Sequence, residues 1–193
     1  RNVTVDTLAD PDQERTAYVI EQVRKEYPRW EHADSAAFSV GPVWEGIFRV
    51  SIAWGQSKDP MPPPFVCYIC GKRKVLGGVL DAFRCRDVRP SDSAEAARAA
   101  LLMLSERHRG VMPVRTYEDV RKIPRRLVRT YRVYPLRVRG RKEGGYRVRV
   151  FDYQRIRHQS STTRRRPEQL RKHVIEFTPD RITWATDILH VRP

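Results

Sequence analysis

Residues 137–150 read RVRGRKEGGYRVRV, and this stretch decides the fold of the second half of the chain. Arginine alternates with valine on either side of a Gly144-Gly145 pair, and a period of two is typical of β-strands. A glycine pair between two such runs indicates a hairpin turn. Within residues 129–153 we therefore predict a β-hairpin with one apolar face of valines and one face of arginines. The arginine side chains are Arg137, Arg139, Arg147 and Arg149.

The sequence around the hairpin is strongly basic. The chain of 193 residues contains 38 Lys and Arg against 23 Asp and Glu, a formal charge of +15. Residues 121–173 hold 19 basic and 3 acidic side chains, and residues 155–172, with Arg164, Arg165 and Arg166, are predicted to be an extended basic loop. Arginine forms bidentate hydrogen bonds with phosphate, and each neutralised phosphate releases counterions. The charge therefore predicts a polyanionic partner, since on a merely solvated surface the repulsion between these arginines would go uncompensated.

Several classes of protein are disfavoured. No apolar run approaches the roughly 20 residues that cross a bilayer, so we expect no membrane association. The sequence lacks a Gly-rich phosphate loop, an H-E-x-x-H and a G-x-S-x-G motif, and its five histidines have no spacing that pairs them, so we do not expect an enzyme.

Three cysteines fit a reducing compartment better than a secreted disulfide framework. Because the sequence begins at Arg1, removal of a transit peptide is one expectation.

The first 64 residues are predicted to form an N-terminal extension. Asp10 is a good N-cap and Pro11 suits the first helical position, so we predict a helix over residues 11–27 that Pro28 ends. Alternating apolar residues between 37 and 54 predict two strands. Residues 55–64, GQSKDPMPPP, suit neither element and are interpreted as a stiff linker at a module boundary.

The next segment contains all three cysteines. Residues 65–74 read FVCYICGKRK, and Cys67 and Cys70 are interpreted as a C-x-x-C knuckle followed by Cys85. Thiolates bind zinc or an iron-sulfur cluster, and both usually take four ligands. His108, Asp87 or His32 could supply a fourth ligand within the chain. The alternatives left open are reduced structural cysteines without metal and, less favoured, a redox C-x-x-C pair.

The remaining elements complete an α+β reading. A helix is predicted from Ala94, capped at Asp92 and ending at Gly110, and Thr116 is predicted to cap a short turn that Pro124 ends. Residues 173–177 and 181–191 are predicted to be short closing strands. We therefore predict an α+β chain in three parts: an N-terminal extension (1–64), a small helical metal-knuckle module (65–124) and a basic β-hairpin region (125–193).

The segment from Cys67 to Pro124 resembles a known family. CYICGKRK, a later lone cysteine, an alanine-rich helix and the ending RGVMPVRTYEDVRKIP occur in this order. This combination is similar to that of protein eighteen of the bacterial-type small ribosomal subunit, especially its mitochondrial forms. The resemblance implies a mainly helical, non-catalytic component of the mitochondrial small ribosomal subunit, located in the matrix. It also implies binding to small-subunit ribosomal RNA and docking on ribosomal protein six of the same subunit, among other mitochondrial ribosomal proteins.

The resemblance further implies roles for individual residues. Cys67, Cys70 and Cys85 would bind zinc or a 2Fe-2S cluster whose fourth ligand comes from the neighbouring protein. Together with the charge pattern, the expected RNA contacts are Lys72, Arg73, Lys74, Arg98, Arg109, Arg115, Arg121, Lys122, Arg125, Arg126, Arg137, Arg139, Arg147, Arg149, Arg164, Arg165 and Arg166. The alternative is a free-standing zinc-ribbon factor that binds RNA or DNA and completes its metal site internally.

Overall fold

The computed structural model describes residues 11–27, 38–52, 65–70, 74–108, 111–155 and 168–192. The chain divides into two compact units, residues 1–86 and residues 87–193. The division falls within the predicted module 65–124 rather than at either of its ends. The described elements form two antiparallel sheets and five helices, so the coarse α+β class is confirmed. No helix in the described ranges has the length and apolar composition needed to cross a membrane.

The N-terminal unit is a four-stranded antiparallel sheet with two helices. Its elements are α1 (Pro11–Glu26), β1 (Phe38–Trp44), β2 (Ile47–Ile52), β3 (Phe65–Cys70), β4 (Lys74–Leu76) and α2 (Val79–Cys85). The strands follow one another in the order β1-β2-β3-β4. The predicted first helix and the two strands after it are thus confirmed. Two segments of this unit lie outside the described residues: residues 28–37 and residues 53–64, which include the proposed linker 55–64.

Cys67 and Cys70, which are predicted to form a metal knuckle, both belong to strand β3. The segment FVCYIC is rich in β-branched and aromatic residues, which favour strands. It pairs with β2 along its whole length, with Val50 opposite Cys67 and Ile47 opposite Cys70. Residues three apart on a strand project to opposite faces. The two thiols therefore lie on opposite sides of the sheet.

Each side of this sheet is covered by a different helix. On the Cys67 side, Val19, Ile20 and Val23 of α1 pack against the sheet, and Val23 and Cys67 are fully buried. On the Cys70 side, the ring centroid of Trp44 lies 5.6 Å from that of Phe83 in α2. Trp44 pairs with Ile47, which is also the strand partner of Cys70. Full burial of an aliphatic side chain contributes about 1.5–3 kcal/mol. The hydrophobic effect therefore holds β3 between two helices.

The C-terminal unit contains the longer sheet. Its elements are α3 (Ser93–Arg107), β5 (Met112–Pro113), α4 (Tyr117–Arg121), α5 (Arg125–Tyr131), β6 (Arg137–Gly140), β7 (Tyr146–Arg155), β8 (Glu168–Phe177) and β9 (Ile182–Arg192). The strands have the order β5-β7-β8-β9, and β6 also pairs with β7. The predicted caps are confirmed: the Asp92 carboxylate accepts a hydrogen bond from the Glu95 amide, and Thr116 and Asp119 form a capping box.

Two predictions in this unit are corrected. Residues 125–131, partly assigned to the alternating strand pattern, form helix α5, so alternation begins at Arg137. Part of the predicted basic loop, from Glu168 onward, belongs to the ten-residue strand β8. Residues 156–167 lie outside the described part of the chain.

Helices lie on both faces of the sheet of the C-terminal unit. Helix α3 lies on the face that carries Val148 and Val150, where the Tyr146 hydroxyl donates a hydrogen bond to the Ser91 carbonyl oxygen at 3.0 Å. Helices α4 and α5 contribute Ile123 and Leu127 to a core on the opposite face. The strand partners in that core are Phe151, Tyr153 and Leu170. The two helices cover only part of this face and leave the hairpin end of the sheet exposed.

Candidate nucleic-acid interface

The hairpin formed by β6 and β7 brings four predicted arginines together. Arg137 pairs with Arg149 across the two strands, and Arg139 pairs with Arg147. Val138 and Val148, the residues between them, project to the other face, where Val148 is fully buried. The predicted hairpin with one apolar and one basic face is therefore confirmed. We name the surface of Arg137, Arg139, Arg147 and Arg149 the arginine face.

The turn of this hairpin depends on its two glycines. Gly144 and Gly145 have φ angles of +88° and +79°, in the region that glycine adopts without strain. A Cβ atom on Gly145 would lie 2.0 Å from the carbonyl oxygen of Phe177 in β8. The turn therefore packs directly against the neighbouring strand, which fixes the end of the arginine face.

The arginines of this region differ in their partners. Glu176 on β8 binds two of them: its Oε1 lies 2.5 Å from Arg147 Nε, and its Oε2 lies 2.9 Å from Arg141 Nη1. The Arg137 guanidinium stacks over the Tyr134 ring at 4.1 Å. Within the described ranges, Arg139 and Arg149 have no carboxylate partner. Like charges directly opposite on neighbouring strands are destabilising, so an anion bound here would relieve this repulsion.

A cavity of about 250 Å³ lies at the turn end of the arginine face. Its lining comprises Arg139, Gly140, Arg141, Lys142, Glu143, Arg147 and Arg149. The Glu143 carboxylate is largely exposed, while the Arg141 side chain is only 23% exposed. Rigid strands thus present several guanidinium groups to one concave site, an arrangement suited to phosphate oxygens. We call this site the arginine cavity.

The other predicted RNA contacts do not join the arginine face. Arg98 is exposed on α3, on the opposite side of the sheet, and Arg115, Arg121 and Arg125 are exposed near α4 and α5. Lys122 is 2.9 Å from Asp119, and Arg126 is paired with Glu168. Lys74 begins β4, and its side chain is not described. The predicted contacts that lie outside the described residues are Lys72, Arg73, Arg109, Arg164, Arg165 and Arg166.

The structure does not bring the three cysteine sulfurs together. Cys67 and Cys70 face opposite sides of the sheet, and Cys85 is exposed at the end of α2. Burial raises the pKa of the Cys67 thiol to about 12, which disfavours the thiolate that a metal or a redox reaction requires. Of the suggested internal ligands, His32 lies outside the described residues, and among the residues described the one group of three potential metal ligands includes no cysteine. Metal binding by these cysteines stays a prediction, and it would require β3 to rearrange.

Sequence reasoning missed a buried polar network in the C-terminal unit. Asp152 is fully buried, and its carboxylate accepts hydrogen bonds from Arg171 Nε at 2.9 Å and from His173 Nε2 at 2.8 Å. Arg171 Nη1 lies 3.3 Å from His108 Nδ1. The Trp184 indole N–H donates to His173 Nδ1 at 3.2 Å. These groups lie on three strands and at the end of α3, and no short motif connects them. We call them the Asp152 network.

Three members of this network, His108, Asp152 and His173, have ligand atoms that all lie within 4.8 Å of one another. Their hydrogen bonds nevertheless argue against a cation. Trp184 and Arg171 can only donate, so His173 Nδ1 and His108 Nδ1 serve as their acceptors, and the Thr186 hydroxyl lies 3.0 Å from the same His173 nitrogen. Burial and the Arg171 charge lower the pKa of His108 to about 4, so its ring is neutral at pH 7. Nε2 of His108 and Nη2 of Arg171 are buried without a hydrogen-bond partner among the described residues, so this is a core network with two unsatisfied donors.

The chain was compared with protein families, curated proteins and solved structures, and it matches none of them. A function is therefore supported by the sequence and by the geometry of the described residues. Of the sites described, the arginine face has the chemistry that an external ligand would recognise.

Proposed function

We propose that this protein is a non-catalytic RNA-binding protein, a structural constituent of the mitochondrial small ribosomal subunit, that contacts the RNA backbone through its arginine face. The observation that carries the proposal is the position of Arg139 and Arg149. Both side chains project from paired strands, beside Arg137 and Arg147, without a carboxylate partner in the described parts of the chain. Guanidinium groups in this setting gain hydrogen bonds and charge neutralisation from phosphate.

The geometry favours contact with the backbone over the reading of bases. The exposed groups of the arginine face are guanidinium groups on a rigid sheet, and the Tyr134 ring beside them is already covered by Arg137 and packs against Phe151. A base would have to displace that packing in order to stack. Phosphate contacts position a protein on nucleic acid without specifying sequence. We therefore expect affinity that depends strongly on salt and weakly on base composition.

The ribosomal part of the proposal is supported by the resemblance of residues 67–124 and by the net charge of +15. It includes docking on ribosomal protein six of the small subunit and a zinc ion or 2Fe-2S cluster held by Cys67, Cys70 and Cys85 with a ligand from that neighbour. Since β3 directs two of these thiols to opposite faces, this shared site would have to form during assembly, with local rearrangement of the strand.

The backbone contact is tested by titrating a structured RNA with the full chain at several salt concentrations. Arg139→Ala and Arg149→Ala should each lower the slope of log affinity against log salt by about 0.7–0.9, the contribution of one phosphate contact. Arg129→Ala is the matched control, because it removes one exposed charge of the same unit from helix α5, outside the arginine face and outside the expected RNA contacts. Equal slopes for all three variants, or a flat salt dependence of the unmodified protein, would contradict the proposal.

A second candidate is a free-standing zinc-ribbon factor that binds RNA or DNA, and the arginine face supports it equally, because contacts with a nucleic-acid backbone need no neighbouring protein. Sedimentation with small ribosomal subunits in high salt separates the two candidates. Co-sedimentation supports the ribosomal constituent, and its absence supports the free-standing factor. Metal analysis of the isolated chain adds a further distinction, since a stoichiometric metal without any partner indicates the zinc-ribbon form of that factor.

A further inference from the structure

The arginine cavity has more positive charge than one backbone phosphate needs. Its lining contributes the cations of Arg139, Arg141, Lys142, Arg147 and Arg149. Against these five cations stand the carboxylates of Glu143 and Glu176, which leaves a local charge of +3. A phosphodiester carries a single negative charge, whereas a phosphate monoester carries about −1.5 to −2 at pH 7 and offers three terminal oxygens. The charge of the cavity thus matches a monoester better.

We propose that the arginine cavity binds a phosphate monoester, the 5′-terminal phosphate of an RNA. This inference rests on the proposed RNA-binding function and assigns a specific group of the RNA to one end of the arginine face. The cavity is concave and lies at the glycine turn, where the paired strands end. Its volume of about 250 Å³ is below the roughly 300–1,000 Å³ of sites for whole small ligands. It therefore has room for a phosphate and part of a sugar.

The lining residues divide into two kinds. Glu176 holds Arg141 and Arg147, so these two guanidinium groups are fixed before a ligand arrives. Arg139 and Arg149 have no carboxylate partner among the described residues and can turn their donors toward a phosphate. Nε and Nη1 of Arg141 are buried and make no hydrogen bond among the described residues, so the contact of Arg141 with Glu176 is an ion pair.

The test compares two 12-nucleotide RNAs of one sequence, labelled at the 3′ end, that carry either a 5′-hydroxyl or a 5′-monophosphate. The full chain should bind the 5′-monophosphate RNA about tenfold or more tightly, the effect of one or two charge-assisted hydrogen bonds. Arg149→Ala and Arg139→Ala should reduce this ratio toward one, whereas Arg129→Ala, which removes an exposed charge on α5, should preserve it. Circular dichroism melting establishes that each variant is folded.

A second arm uses AMP without RNA, since a free nucleotide carries the same chemical group. In one outcome, the full chain binds the two RNAs with equal affinity but binds AMP, and Arg149→Ala abolishes the AMP binding. This outcome supports the monoester site and assigns it to a free nucleotide instead of an RNA end. Equal affinity for both RNAs and no binding of AMP overturn the inference, while the proposed RNA binding stands. If neither RNA binds, the proposed function fails, and the AMP arm alone decides whether the cavity accepts a monoester.

Discussion

Replacing Asp152 with Asn should destabilise the C-terminal unit by roughly 3 kcal/mol. The buried carboxylate accepts hydrogen bonds from Arg171 at 2.9 Å and from His173 at 2.8 Å. An Asn side chain has one acceptor oxygen, so its amide group must face one of these donors. If His173 moves its proton to Nδ1, the Thr186 hydroxyl at 3.0 Å can accept it, but the Trp184 indole N–H then loses its acceptor. With either tautomer of His173, the substitution therefore leaves a buried donor without a proper acceptor.

The magnitude follows from the contacts that are lost. A hydrogen bond to a charged group contributes about 1.5–3 kcal/mol, and an unsatisfied buried donor costs about 1–3 kcal/mol. Breaking a buried ion pair by removing one partner typically costs about 3–5 kcal/mol, and Asn should fall at the lower end because it keeps the shape. Burial alone would raise the pKa of Asp152, but the hydrogen bonds from His173 and Arg171 outweigh it and lower the pKa. The stabilisation is thus present above about pH 4, the ordinary value, and is lost as pH falls through the lowered pKa.

The assay is urea denaturation at pH 7, followed by circular dichroism. With a urea m-value of about 1–3 kcal/mol per molar, the midpoint should fall by about 1–3 M. Asp187→Asn is the control, because Asp187 lies on the adjacent strand, is 60% exposed and is 3.8 Å from Lys172. Its effect should stay within about 0.5 kcal/mol. Equal urea midpoints for the two variants would refute the conclusion that the Asp152 network stabilises this unit.

Three further results are expected. The pKa of His108 is lowered to about 4, so the unfolded chain binds the proton more readily between pH 6.5 and 4. The free energy of unfolding in urea should decrease as pH falls through this window, and the decrease should be smaller in His108→Gln. Parallel pH profiles of the two proteins would contradict the assignment of this pH dependence to His108. Gly145→Ala should lower the urea midpoint strongly, because its Cβ meets a backbone carbonyl at 2.0 Å, whereas Gly140→Ala, with nothing within 4 Å, should change it little. A thiol reagent should modify Cys85 in the native protein and reach buried Cys67 only in denaturant, and rapid reaction of Cys67 would show that β3 opens.

The local elements of the fold were predictable where neighbouring residues carried the signal. Arginine–valine alternation around two glycines specified the hairpin, and Asp92 and Thr116 specified helix starts. Helix α5 was missed because Pro124 supplies no side-chain cap and the helix contains β-branched Val128 and Thr130, so its core contacts determine it. At β3, the cysteine spacing suggested a metal ligand pair, although the flanking β-branched and aromatic residues favoured a strand.

The residues of the candidate site could also be predicted from the sequence only in part. The four residues of the arginine face were predictable, since two strands and one turn place them together. The role of Glu176 was not, because it lies on a third strand, 29 positions after Arg147, and only the pairing of β7 with β8 brings them into contact. The Asp152 network was missed for the same reason. Groups that meet through strand pairing leave no pattern in a short window of sequence.

The Asp152 network also has a consequence for the alignment of strands during folding. A shift of β8 by two residues along β7 would leave every side chain on its original face, so the apolar alternation of the two strands does not exclude it. Such a shift would move Arg171 and His173 by roughly 6.6 Å relative to Asp152. Hydrogen bonds of 2.9 and 2.8 Å cannot survive that displacement, and a buried carboxylate would be left unpaired. We expect the buried charges to exclude a misaligned sheet that the hydrophobic residues alone would accept.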